Sequence, residues 1–92
     1  MSEGRKTVIV RIEGRVQGVW YRGWTAQAAE RLGLDGWIRN KRDGSVEAVF
    51  AGPGAKVDAI IKLCRRGPPL AAVSALHRED YDGEVEPGFH RQ

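Results

Sequence analysis

With 92 residues this chain has room for one domain, and at that size it buries only about 60–65% of its unfolded surface, so its core must be compact. Hydrophobic residues at 41% and charged residues at 29% suit a soluble globular protein, and no apolar run approaches the roughly 18 residues of a membrane span. The single cysteine, Cys64, excludes an internal disulfide and a cysteine-rich metal site, while a net charge of +3 suits small anionic partners and comes without the run of like charge that makes a nucleic-acid arm. The stretch Met1-Ser2-Glu3-Gly4-Arg5-Lys6 lacks an apolar secretory segment, so a cytoplasmic location is expected.

Thr7-Val8-Ile9-Val10-Arg11-Ile12 predicts a first strand with Val8, Val10 and Ile12 on one face. After a loop from Gly14, helix formers begin at Arg22 or Gly23; Trp24, Ala28 and Leu32 recur at helical spacing and Gly33 supplies the stop. A second strand, about Asp35 to Lys41, and a third, about Ser45 to Ala51, flank the Asp43-Gly44 turn and should be antiparallel neighbours. Gly52-Pro53-Gly54 is expected to break the third strand, and Val57, Ile60, Ile61 and Cys64 then form one side of a second helix that Gly67-Pro68-Pro69 ends. A fourth strand from Ala71 to His77, a surface loop from Glu79 to Gly88 and a short last strand at Phe89-His90-Arg91 complete the chain. The order is two split βαβ units: a ferredoxin-like α+β sandwich over residues 1–92, with two helices on one face of an antiparallel sheet.

The connection Gly14-Arg15-Val16-Gln17-Gly18-Val19-Trp20-Tyr21-Arg22 joins a strand to a helix and ends in an arginine. Its glycines let the backbone turn tightly and point successive N–H groups into one concavity, and the helix N-terminus adds unpaired donors and a positive dipole end. Arg22 supplies a planar, permanently charged fork that matches two phosphate oxygens at once. On these residues alone the alternative is an ordinary loop with a solvated arginine, because a glycine-rich loop by itself is a weak signal.

Taken with Gly33-Leu34, Gly36-Trp37-Ile38-Arg39-Asn40 and Asp43-Gly44-Ser45-Val46-Glu47, this loop resembles the signature of the acylphosphatases, small hydrolases of carboxyl-phosphate anhydrides. The resemblance covers nearly the whole chain; Tyr21 stands where the family usually has Phe, and Lys41 follows Asn40 where many members have Thr. It implies cleavage of acyl phosphates to a carboxylate and inorganic phosphate with no metal or other cofactor. It also implies that the amides of Arg15, Val16, Gln17, Gly18, Val19, Trp20 and Tyr21, together with Arg22, hold the phosphoryl group, and that Arg22 and Asn40 are catalytic, Asn40 positioning the water. The expected partners are the acyl phosphate and inorganic phosphate, the latter as product and competitive inhibitor. A monomer with no nucleic-acid or membrane partner is expected.

Such a substrate carries a good leaving group, so its hydrolysis needs charge neutralisation and a placed water more than a strong base. Asn40 donates and accepts while staying neutral, and alternation sets it with Ile38 on the helix-covered side, opposite Trp37 and Arg39. From its neighbours alone Asn40 is more often a turn residue; beside Arg22 and the loop, catalysis is favoured. Tyr21 reads as core, Trp20 as core or site lining, and Trp24 and Trp37 as packing residues. His77 and His90 lack metal-ligand spacing, Asp43 and Glu47 read as turn and strand-surface residues, and Cys64 as an inert buried thiol. An RNA-recognition module shares this element order but needs aromatics exposed on the central strands; the first strand has none and the third only Phe50. Hydrogenase-maturation carbamoyl transferases also carry acylphosphatase-like domains, in much longer chains with zinc-finger cysteines that this sequence lacks.

Overall fold

The run of alternating branched and polar residues carries the first strand well past Thr7–Ile12. In the computed structural model, which describes residues 4–92, β1 spans Arg5–Arg15. Met1, Ser2 and Glu3, part of the stretch read as leaderless, lie outside the described residues. The other elements follow as α1 (Tyr21–Arg31), β2 (Asp35–Asn40), β3 (Val46–Pro53), α2 (Gly54–Arg66), β4 (Ala72–Asp80) and β5 (Phe89–Arg91). The sheet order is β4-β1-β3-β2-β5, with β5 parallel to β2 and every other pair antiparallel, so the sheet is mixed where a wholly antiparallel one was expected. No helix among the described residues is long and apolar enough to cross a membrane.

Val8, Val10 and Ile12 of β1, Ile38 of β2, and Val46, Ala48 and Phe50 of β3 are buried beneath Val57, Ile60, Ile61 and Cys64 of α2, as their spacing predicts. Each large aliphatic side chain wholly buried here contributes about 1.5–3 kcal/mol. Phe50 stacks on Phe89 with centroids 5.5 Å apart, and Gly36 pairs with both residues, so the two rings meet over the bare strand between them.

Three expectations are corrected. Gly52-Pro53 does not break β3: Pro53 is its last residue, opposite Arg5 and beyond the reach of β2, where a missing N–H disturbs no ladder, and its φ of −57° leads into α2 at Gly54. The buried stripe of α1 runs through Tyr21, Thr25, Ala28 and Ala29, not through Trp24 and Leu32, which are only half buried. Thr25, Ala28 and Ala29 are small and let the helix lie close to the sheet, while Tyr21 fills the space at its start. The fourth strand continues beyond His77 to Asp80 because its N-terminal partner β1 is itself longer, pairing Val8 with Asp80. Gly33 ends α1 as expected: its N–H donates to the Glu30 carbonyl at 3.0 Å and that of Leu34 to Ala29 at 2.9 Å.

Cys64 is completely buried, and desolvation pushes its thiol from 9.0 up to about 11. The buried Thr25 hydroxyl is left without a hydrogen-bond partner among the described residues. Because the folded thiol holds its proton longer than the unfolded one, folding is favoured below pH 9 and that contribution is lost as pH rises towards 11. Denaturant unfolding over this range should show stability falling with pH, and Cys64→Ala should flatten the decline; an equally steep decline in the variant would exclude the thiol as its cause.

Candidate active site

Near its end β1 carries a bulge between Glu13 and Gly14, where its register against β4 shifts, and Gly14 and, beyond the strand, Gly18 have φ of 122° and 77°. Trp20 follows with a left-handed φ of 63°, a conformation that costs about 1–3 kcal/mol in a residue other than glycine. Trp20 is also the N-cap of α1 and offers no side-chain cap; the first turn closes through the Trp24 N–H on the Trp20 carbonyl at 3.0 Å. Among the described residues, no main-chain or side-chain acceptor takes the N–H groups of residues 16–23. A run of backbone donors at a helix N-terminus is an anion site in waiting.

These donors border a cavity of about 130 Å³ lined by Val16, Gly18, Trp20, Tyr21, Arg22, Gly23, Asn40 and Arg91. Asn40 ends β2 on the helix side of the sheet, two residues beyond buried Ile38 and opposite Val46. The half-buried Arg22 guanidinium donates to the main-chain oxygen of Gln92, while the Gln92 N–H donates to the Ile38 carbonyl at 2.9 Å, so Gln92 braces the arginine against β2. Of the expected phosphate-binding residues, Arg15 is still paired with Ala72 at the end of β1, and Gln17 and Val19 do not line the cavity. Val19 packs on the core. The Gln17 amide instead donates to the carbonyls of Lys41 at 2.8 Å and Ser45 at 2.9 Å, tying the loop to the hairpin that carries Asn40.

Larger hollows lie elsewhere but lack convergent donors. One of about 280 Å³ on the open sheet face mixes Arg11, Lys41, Glu47, His77 and Glu79, and one of about 610 Å³ between the helices is mostly apolar. Lys41 thus points to the face opposite Asn40, 3.9 Å from Glu47. Arg91 was not singled out from sequence; the alternation of Phe89-His90-Arg91, with Phe89 inward, was the signal that placed it on the same side.

Tyr21 is buried, as read from sequence, and its hydroxyl donates to the Cys64 carbonyl at 2.6 Å. In a continuing helix that carbonyl would accept from residue 68, but Pro68 has no N–H. The first residue of α1 therefore caps the end of α2. Burial drives the Tyr21 phenol far above its ordinary range, which keeps it a donor.

The remaining candidates have structural employment. Asp43 accepts from the Ser45 N–H at 2.9 Å and hydroxyl at 2.6 Å, bonds that hold its carboxyl below the usual range. Glu47 pairs with Arg39 at 2.6 Å, and the Arg39 guanidinium in turn lies 5.1 Å from the Trp37 ring on the open face. Trp24 tilts against Tyr21 at 6.1 Å. His77 faces Glu13 at 3.3 Å and His90 meets the Pro87 carbonyl at 2.9 Å. Among the described residues no three His, Cys, Asp or Glu side chains gather as metal ligands.

The family model described as Acylphosphatase matches residues 8–91. An acylphosphatase of Rhodospirillum rubrum is 53% identical over 87 residues, covering 95% of this chain and 96% of that one. The solved acylphosphatase of Coxiella burnetii superposes with a TM-score of 0.91 at 33% identity, over 96% of this chain and 93% of that one. Full-length HypF shares the fold at a TM-score of 0.87 and 17% identity, with this chain matching 12% of its length.

Replacing Tyr21 by Phe keeps the ring and removes the cap, leaving a buried carbonyl unpaired. Thermal unfolding should report a loss of about 1–3 kcal/mol, and an unchanged melting temperature would show that the hydroxyl contributes nothing.

Proposed function

The chain belongs to the acylphosphatase family and is a hydrolase of acyl phosphates, and we propose that it acts as a single domain over residues 1–92, without a metal ion, through the cavity at the start of α1. The observation that carries this reading is the run of unclaimed N–H groups at residues 16–23 beside the Arg22 fork and the Asn40 amide. The phosphoryl oxygens sit on the loop amides and Arg22. Their charge stays spread over three atoms in the loose transition state, so donors fixed beforehand stabilise it without reorganising. Asn40 accepts from the attacking water and directs its oxygen at phosphorus, in line with the departing carboxylate. Because that carboxylate is a weak base, no side chain needs to protonate it.

Arg22 and Asn40 have separable tasks on this reading. Arg22→Ala removes a charge-assisted contact and should weaken both inorganic phosphate inhibition and turnover by about 1.5–3 kcal/mol or more, with poor rescue by Lys, whose point charge makes no parallel pair of bonds. Asn40→Ala should keep phosphate affinity while lowering kcat by about 10²–10³, as expected for one positioned transition-state group. Equal loss of phosphate affinity in both variants would contradict the division.

Phosphate release from acetyl phosphate should proceed undiminished with a chelator present, with inorganic phosphate competing. Release only after a divalent metal is added would overturn the metal-free mechanism.

A further inference from the structure

We propose that Trp20 and Arg91 form the acyl-side subsite of this cavity: the indole N–H and the guanidinium hold the oxygens of the acyl group and take up the negative charge that gathers there as the bond to phosphorus breaks. The inference rests on the hydrolysis proposed above and adds the half of the substrate that the phosphate loop does not grip.

Parallel pairing of β5 with β2 sets Arg91 opposite Ile38, on the helix side of the sheet and one step from Asn40 along that face. From the other direction the left-handed turn at Trp20 brings its indole down over α1. The two side chains meet above Gly23, where a Cβ would lie 2.2 Å from the indole Nε1 and 2.6 Å from the Arg91 Nη1. Only a residue without a side chain leaves that space. Both groups are donors with no acceptor capacity, so neither satisfies the other. Among the described residues neither has a hydrogen-bond acceptor, and Arg91 has no acidic partner. Two adjacent donors at the rim of a cavity are free to bind an oxygen-bearing ligand in place of water, and a carboxylate accepts from both at once.

Position assigns that oxygen to the acyl end. The floor of the cavity is the buried Val16, Tyr21 and Gly23, and its exposed rim is Gly18, Asn40, Arg91 and Trp20, the last 55% exposed; Trp20 and Arg91 are the two that meet above Gly23. A phosphoryl group seated on the loop amides and Arg22 directs its anhydride oxygen and acyl group towards the mouth. In the reaction the water oxygen bonds to phosphorus and the bond between phosphorus and the acyl oxygen breaks. The bonding electron pair departs with the carboxylate, and the proton lost from water ends on phosphate or in solvent. The carboxylate is where new charge appears, and the indole N–H and the guanidinium stand ready for it before the bond breaks.

The test is the dependence of kcat/KM on the acidity of the departing carboxylic acid, measured with acetyl phosphate and a series of ring-substituted benzoyl phosphates. Arg91→Gln should lower kcat/KM about tenfold for acetyl phosphate and less for the better leaving groups, giving a steeper slope than the unmodified enzyme. Trp20→Phe, which keeps a ring and deletes the N–H, should steepen the slope in the same direction, and Arg91→Lys should recover part of the loss. The inhibition constant of inorganic phosphate, which has no acyl part, should rise by less than about threefold, the factor expected of a nearby charge that makes no direct contact. An active unmodified enzyme whose slope is unchanged in both variants overturns the subsite alone, as does a loss of phosphate affinity equal to the loss of turnover. An unmodified enzyme that releases no phosphate from any member of the series overturns the hydrolysis reading itself.

Discussion

A backbone N–H withheld from an acceptor is unfavourable in a folded protein, and nearly all such groups are paired. The stretch between β1 and α1 departs from that rule through residues 16–23, and all of these but Gln17 and Val19 line one cavity. Everything else about the site follows from keeping those donors in place without satisfying them internally. A loop of this kind left alone would relax, by winding an extra helical turn or by folding back on β1. It is prevented from doing so by contacts that reach far along the chain.

Three such contacts brace it from different sides. The Gln17 amide fastens the loop to the hairpin after β2, the Tyr21 hydroxyl fastens the first turn of α1 to the last turn of α2, and Gln92, just past β5, fastens the Arg22 guanidinium. Each joins residues 24 or more positions apart. The cavity is therefore a property of the closed sheet and helix layer, not of the loop sequence alone, and its complete lining needs the pairing of β2 with β5. Pro68 illustrates the economy: by lacking an N–H it frees the Cys64 carbonyl for Tyr21, so one residue ends a helix and orients another.

Local signals sufficed for much of this architecture. Branched alternation, the Asp43-Gly44 turn, the spacing of Val57, Ile60, Ile61 and Cys64, and Gly33 each act within a few residues, and the elements they imply are present. Alternation also sets Asn40 on the correct side, because a pleat leaves no other choice two residues after a buried Ile38. What stayed hidden depends on partners remote in sequence. Gln17 reads as one more loop residue until the hairpin carbonyls arrive beside it. Thr25 looks unsuited to a core, yet it lies on the buried side because α1 turns Tyr21 inward. Arg91 carries no motif, and only the parallel pairing of a three-residue strand brings it to the cavity.

The strand order leaves β4 and β5 as the sheet's two margins, and the composition of each bears on how copies of this chain behave when crowded together. The extension of β4 through His77, Arg78, Glu79 and Asp80 puts four consecutive exposed polar groups along one margin, and the other margin is only three residues long. Both are poor templates for strand addition, since charge must be desolvated at the first and too few ladder bonds are on offer at the second. Both borders of the sheet thus disfavour strand-to-strand addition of a second copy, and the residues responsible lie outside both the core and the candidate cavity.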